Sequence, residues 1–105
     1  MYVSSLSLEY VRVAVSATAN GSVVNVSADI VTMAFPVTGV APVIGDWKSS
    51  SWETDATHTP ATYYARCLVG PAGTVVLTAG TYDVWVKVTD NPEIPARKAG
   101  ELFVS

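Results

Sequence analysis

Residues 81 to 90, TYDVWVKVTD, alternate so strictly that they constrain the fold more than any other stretch of the chain. One parity holds Tyr82, Val84, Val86 and Val88, and the other holds Thr81, Asp83, Trp85, Lys87 and Thr89. Successive side chains of a β-strand point to opposite faces, so the pattern predicts a strand with one buried and one exposed face. Trp85 is the exception, because it falls on the polar face.

Other alternating segments predict that the regular structure of the chain is β-strand throughout. Apolar residues alternate with small or polar ones in EYVRVAVSAT, and shorter runs occur in VVNVSADIVTMAF, TYYARCLV and AGELFVS. Asn20 and Gly21 accept positive φ cheaply, which favours a two-residue hairpin turn. The turn predicts an antiparallel pair within residues 9–35, with a bulge near Ala28 and Asp29 to keep Asp29 off the apolar face.

The remaining segments indicate how many strands the chain forms. Residues 36–60 are rich in turn formers and predict loops with one short strand around Trp47 to Glu53. The two prolines of DNPEIPARK remove backbone donors and predict an edge or a loop. Six to seven strands in 105 residues favour an all-β, two-layer antiparallel sandwich of immunoglobulin (Ig) type over a closed barrel, as one domain of residues 1–105.

The segment AGTYDV supports an Ig-like sandwich. Tyr82 lies two residues before Val84. Val84 occupies the position where antibody domains have their second cysteine. Such a tyrosine forms a corner, with its ring packed inward and its hydroxyl bonded to the backbone upstream. The buried tryptophan that usually comes on an earlier strand is expected to be Trp47.

Charge and cysteine content exclude several classes of partner and site. The net charge is −3, and the six Lys and Arg are scattered, so we expect no nucleic acid partner. No apolar run approaches ~20 residues and MYVSSLSLEYVR lacks signal-peptide features, so we expect neither a membrane partner nor a leader. Cys67 is the only cysteine, which excludes an intramolecular disulfide; we expect it to be buried.

No residue pattern indicates catalysis. His58 lies in a loop-like stretch without a nucleophile or a metal-ligand pattern around it. Asp90 and Glu93 are carboxylates that follow a strand end, where calcium ligands occur in sandwich proteins. The presence of Asp90 before Asn91-Pro92 is already explained by its role in starting a turn. We therefore expect a protein that is not an enzyme, with no catalytic, metal or cofactor site.

The candidate interface residues are the three tryptophans, Trp85, Trp47 and Trp52. Trp85 either packs flat across its own sheet beside the stem of Lys87, or anchors an interface, because tryptophan is enriched where proteins meet. In the first case the strand is purely structural. In the second it has one core face and one contact face.

Residues 46–105 carry a family resemblance in DWKSSSWETD, YYARCLVGPAGTVVL and AGTYDVWVKVTDNPEIPARKAGELFV. This run resembles small Ig-like β-sandwich proteins encoded among the virion structural genes of tailed bacteriophages. The resemblance implies a non-enzymatic capsid decoration or accessory protein, made in the host cytoplasm and located in the virion. Its partners would be capsid or other virion proteins, or further copies of itself, with residues 1–8 as an N-terminal arm that orders on a neighbour.

Two alternatives remain open. One is a head-tail connector or tail-associated structural protein. The other is a carbohydrate-binding or adhesion module, in which the three tryptophans would stack on sugar rings at one exposed face.

Overall fold

The structure is a computed structural model that describes residues 1–15, 18–19, 22–23, 29–57, 61–89 and 96–105. Apart from one turn of 3₁₀ helix at Ile44–Asp46, the regular elements of this part of the chain are β-strands. The strands are β1 (Tyr2–Val3), β2 (Glu9–Val15), β3 (Thr18–Ala19), β4 (Ser22–Val23), β5 (Ile30–Ala34), β6 (Lys48–Ser49), β7 (Ser51–Asp55), β8 (Thr62–Val69), β9 (Gly80–Thr89) and β10 (Ala96–Val104).

Two packed sheets form the predicted β-sandwich. One sheet has five strands in the order β1-β10-β9-β5-β6, and the other has three in the order β2-β8-β7. Neighbours are antiparallel except for β1, which runs parallel to β10. The two sheets contain eight strands rather than six to seven, because β1 and β6 have two residues each and are too short to alternate visibly in sequence.

The sheet order is that of an Ig-like fold. The run β10-β9-β5-β6 corresponds to strands G, F, C and C′, and β2-β8-β7 corresponds to B, E and D. The tyrosine corner is confirmed, because the Tyr82 hydroxyl donates to the carbonyl oxygen of Thr78 at 2.8 Å. Trp47 is not the buried tryptophan of an earlier strand: it is half-buried and follows the 3₁₀ helix, while the fully buried Met33 packs into the core from β5.

The core lies between the apolar faces of the two sheets. Val84 and Val86 of β9 point inward, as their parity predicts, and Leu102 of β10 joins them. From the three-stranded sheet, Val11 and Cys67 complete this core. The expected burial of Cys67 is confirmed, and burial raises the pKa of its thiol.

The hairpin expected within residues 9–35 exists only locally. Ala19 pairs with Ser22 and Thr18 with Val23, in a two-stranded sheet of its own. The flanking long strands do not pair with each other, because β2 pairs with β8 and β5 with β9, in opposite sheets. A two-residue turn fixes only the residues next to it, and both long strands have an apolar stripe that must face the core. Asn20, Gly21 and Ala28, at the expected turn and bulge, lie outside the described residues.

The short strand expected around Trp47 to Glu53 is two strands. β6 ends at Ser49 in the five-stranded sheet, and β7 begins at Ser51 in the three-stranded sheet. Only Ser50 separates them, so the chain crosses from one sheet to the other within a single residue. Near the C-terminus, β10 begins at Ala96, inside the segment for which the prolines predicted an edge or a loop.

Residues 1–8, expected as an arm, lie against the domain. Phe103 donates its N–H to the carbonyl oxygen of Met1 at 2.9 Å, and Ser105 donates to that of Val3 at 3.0 Å. Ser5 in turn donates to the carbonyl oxygen of Ser105 at 2.8 Å. The ring of Tyr2 stacks on that of Phe103 with centroids 5.0 Å apart. The start of the chain is therefore the edge strand of the larger sheet.

Candidate interaction surface

Trp52 is a structural residue that connects the two sheets through its ring and its N–H. It lies on β7 opposite the fully buried Ala65 and packs against the core. Its Nε1 donates to the carbonyl oxygen of Asp29 at 2.8 Å, just before β5 begins in the other sheet. Both the ring and the N–H of Trp52 are therefore engaged within the domain.

Trp85 lies on the outer face of the five-stranded sheet, as its parity predicts. Its cross-strand neighbours are Ala34 on β5 and Lys98 on β10. The side chain is half-buried, and its Nε1 is buried without an acceptor among the described residues. The ring thus packs largely on its own sheet, and its role as an interface anchor stays a prediction.

The three tryptophans do not share one exposed face. The ammonium of Lys87 lies 4.5 Å from the ring centroid of Trp47, a cation–π contact. Because Lys87 is on the outer parity of β9, Trp47 belongs to the same side of the sheet as Trp85. Trp52 faces the core from the opposite sheet. The structure therefore does not assemble the three-tryptophan sugar platform.

The structure does not test the other residues that were weighed from sequence. His58, Asp90 and Glu93 lie outside the described residues. Within the described part of the chain, no three His, Cys, Asp or Glu side chains come together as metal ligands.

The most exposed apolar surface lies at one end of the sandwich. Because Val69 at the end of β8 pairs with Glu9 at the start of β2, the loops of residues 4–8 and 70–79 meet. Residues 35–47 reach the same end, since β5 runs antiparallel to β9. Of the twelve exposed large hydrophobic side chains in the described residues, seven belong to these three loops: Leu6, Leu8, Val37, Val40, Val43, Ile44 and Val76. We call this surface the apolar end.

The apolar end is almost free of charge. Residues 1–8, 35–47 and 70–79 contain one charged side chain, Asp46, although 14% of the chain is charged. Ile44 is 95% exposed and Leu6 is 88% exposed. Large apolar patches on soluble proteins mark sites of interaction with proteins, membranes or ligands. The apolar end is therefore the strongest candidate site of the domain.

A cluster of three charged side chains lies elsewhere, on the outer face of the three-stranded sheet. Arg12 donates to Glu53 at 2.8 Å, and Arg66 donates to the same carboxylate at 3.2 Å. The hydrogen bond from Arg12 lowers the pKa of the Glu53 carboxyl. The same hydrogen bond raises the pKa of the Arg12 guanidinium. Arg66 also lies over the ring of Tyr10, at 4.4 Å. This face is a polar surface, in contrast to the apolar end.

The buried Asp83 holds the loop that carries Val37 and Val40. Its Oδ2 accepts the Gly39 N–H at 3.0 Å, and its Oδ1 lies 3.3 Å from the Lys98 ammonium. The Asp83 N–H donates to the carbonyl oxygen of Pro36 at 2.9 Å. Gly39 has φ of +85° and lies in a turn closed by the Val40 N–H and the Val37 carbonyl oxygen. Left-handed backbone favours glycine there.

We expect the contribution of Asp83 to stability to be lost in acid. The hydrogen bond from Gly39 and the charge of Lys98 hold the pKa of its carboxyl below the ordinary value. The stabilisation is then complete above the unfolded-state pKa, ~3.9, and disappears as the pH falls through the lower folded-state pKa. Urea unfolding should give Asp83→Asn a constant deficit from about pH 7 to about pH 5, and a shrinking deficit below about pH 4. A deficit unchanged to about pH 2 would contradict this assignment.

Glycines bring residues 4–8 close to the loop of residues 70–79. Gly70 has φ of +136° and lies against the backbone of Ser7 and Leu8, where there is no space for a Cβ. Its N–H donates to the carbonyl oxygen of Val75 at 2.9 Å. The close approach also brings Leu8 against this loop, because a Cβ on Gly73 would lie 3.0 Å from Leu8 Cδ1.

A half-open cavity of about 250 Å³ indents the apolar end. Phe35 and residues 74–77 line it, together with Asp46 and Lys48. The 3₁₀ turn beside it is fixed by two bonds, from the Val43 N–H to Asp46 Oδ2 at 3.0 Å and from the Asp46 N–H to the Val43 carbonyl oxygen at 2.9 Å. The Lys48 ammonium donates to the Gly45 carbonyl oxygen at 3.3 Å.

Reasoning from the sequence missed this surface. The proline and glycine of residues 37–44, VTGVAPVI, predict a loop, although three valines and an isoleucine without any charge are unusual for a solvated loop. That composition was the available signal. The meeting of this segment with residues 4–8 and 70–79 depends on strand directions, which the local pattern does not specify.

Comparison of the chain with protein-family models, with curated proteins and with solved structures found no match. In the part of the chain that the structure describes, no helix has the length and apolar character needed to span a membrane.

Proposed function

We propose that this protein is a non-enzymatic Ig-like interaction module that docks through its apolar end onto a larger protein assembly. We further propose that the assembly is the capsid shell of a tailed bacteriophage, on which the protein acts as a decoration or accessory subunit of the virion. The apolar end carries the first proposal. The family resemblance of residues 46–105 supports the second.

The clustering of exposed apolar side chains is the single observation on which docking depends. Isolated exposed apolar residues are ordinary on protein surfaces. Seven exposed large apolar side chains in three adjacent loops that contain only one charged side chain are unusual. Depletion of charge at the centre is the compositional signal of protein interfaces. A protein partner explains both features, because it would remove these side chains from water.

The way the apolar loops are held also supports docking. Asp83 fixes residues 36–40, and the 3₁₀ turn fixes Val43 and Ile44, so these side chains do not have to be ordered when a partner binds. A preorganised surface avoids much of the entropy loss that opposes association. A typical stable contact of ~800 Å² per partner is within reach of one end of such a domain.

Binding of the purified protein to shells assembled without it tests the proposal. Ile44→Ser should weaken co-sedimentation with the shells about tenfold or more, as for a central interface residue. Ile30→Ser is the matched control, because Ile30 is 69% exposed and pairs with Thr89 at the opposite end of the sandwich. Light scattering of the free protein, alone and mixed with shells, gives the stoichiometry.

Two results would contradict the proposal. If the wild-type protein ignores the shells, the capsid is not the partner. If it binds them and the two serine variants bind equally well, docking does not use the apolar end. Both variants should unfold within about 0.5 kcal/mol of wild type, since both isoleucines are exposed, so misfolding would not account for a difference.

A further inference from the structure

The cavity at the apolar end has the size of a single side chain. Its volume of about 250 Å³ is below the ~300–1,000 Å³ of pockets that take drug-sized ligands. It exceeds the ~150 Å³ of an engineered cavity that binds benzene. One ring fits this space, whereas a metabolite of ordinary size does not.

The lining combines apolar and hydrogen-bonding groups. Phe35, Val75 and Leu77 present apolar surface, and Asp46 and Lys48 add one negative and one positive charge. The two charges cancel, so a charged occupant would lose its hydration without a net opposite charge in return. Asp46 Oδ2 accepts the Val43 N–H, while Asp46 Oδ1 has no hydrogen-bond donor among the described residues. The cavity therefore suits an uncharged ring that carries one donor.

We propose that the cavity is a socket for a tyrosine or tryptophan side chain of the protein partner. The ring lies against Phe35, Val75 and Leu77, and its O–H or N–H donates to Asp46. Tyrosine and tryptophan have an apolar ring with a single donor, and they dominate the binding energy of protein interfaces. The identity of the occupant as a partner's side chain depends on the proposed docking function, whereas the binding chemistry of the socket does not.

Side-chain analogues test the socket directly. Titrating ¹⁵N-labelled protein with p-cresol or indole should give saturable shifts of the amide signals of Lys48 and residues 74–77. Toluene, which lacks the donor, should bind at least about tenfold more weakly, the value of one hydrogen bond to a charged acceptor. The charged analogue p-toluate should also bind more weakly than p-cresol, since its carboxylate faces Asp46.

A pair of matched variants locates the binding. Val76 lines the cavity and is 69% exposed, so Val76→Trp places an indole at its mouth without disturbing the core. We expect this change to abolish the p-cresol shifts. Val37→Trp is the control, because Val37 is 61% exposed in the same apolar end but does not line the cavity.

Three outcomes would overturn the socket: no saturable shifts at these residues, equal binding of toluene and p-cresol, or binding that persists in Val76→Trp. The shell experiment distinguishes this failure from failure of the proposed function. If shells bind in an Ile44-dependent way and p-cresol does not bind, only the socket is wrong. If p-cresol binds and shells do not, the socket stands and the proposed partner is wrong.

Discussion

Leu102→Ala is expected to lower the free energy of unfolding by about 2 to 5 kcal/mol, as is usual for a buried leucine. Leu102 is fully buried on β10 and faces the core beside Tyr82. Alanine would remove the transfer free energy of three carbon atoms and leave a cavity that the two sheets can close only in part. Domains are stable by only ~5–15 kcal/mol, so this loss would be a large fraction of the total.

Urea denaturation with tryptophan fluorescence measures the effect. Leu6→Ala is the matched control, because it makes the same chemical change at a leucine that is 88% exposed, and it should change stability by less than about 0.5 kcal/mol. Similar losses in the two variants would mean that the assigned core is wrong.

Gly70→Ala is expected to destabilise the domain by about 3 kcal/mol or more. The φ of +136° is unfavourable for alanine, which costs ~1–3 kcal/mol. The new Cβ would also overlap the Ser7 carbonyl oxygen and come within 2.9 Å of Leu8 Cα, and such overpacking costs a further ~1–3 kcal/mol. Backbone cannot move aside as easily as a flexible side chain, so residues 4–8 would be displaced from residues 70–79.

Two other glycines separate strain from overlap. Gly45 has no neighbour that a Cβ would meet, and its φ is outside the left-handed region, so Gly45→Ala should change stability by less than about 0.5 kcal/mol. Gly39 has φ of +85° but open space around it, so Gly39→Ala should cost about 1–2 kcal/mol from strain alone. Equal stabilities of the Gly70 and Gly39 variants would contradict the close approach of Gly70 to Ser7 and Leu8.

The sequence predicted the strands whose alternation is long and one-sided. β2 and β9 begin and end close to the expected residues, and the parity of Val84 and Trp85 is as predicted. The tyrosine corner was also predictable, because Tyr82 and Thr78 are four residues apart and their bond is local. Short-range geometry is what a sequence pattern encodes most directly.

Contacts between distant residues could not be predicted in this way. The sheet that β2 joins depends on its pairing with β8, about fifty residues further along the chain. The sequence around Trp52 does not show whether its ring packs in the core or is exposed. Its hydrogen-bond acceptor is the Asp29 carbonyl oxygen, which lies in another loop. The apolar end was missed for the same reason: its three loops meet only after the strand directions are known.

The crossing at Ser50 has a consequence for how the domain unfolds. Because one residue links β6 in the larger sheet to β7 in the smaller, the chain has no slack there with which the sheets could separate. If the two sheets separate, either β6 must leave β5 or β7 must leave β8. Disruption of the core is therefore accompanied by loss of strand pairing. We therefore expect the two layers to unfold as one cooperative unit, without an intermediate in which a single sheet stays intact.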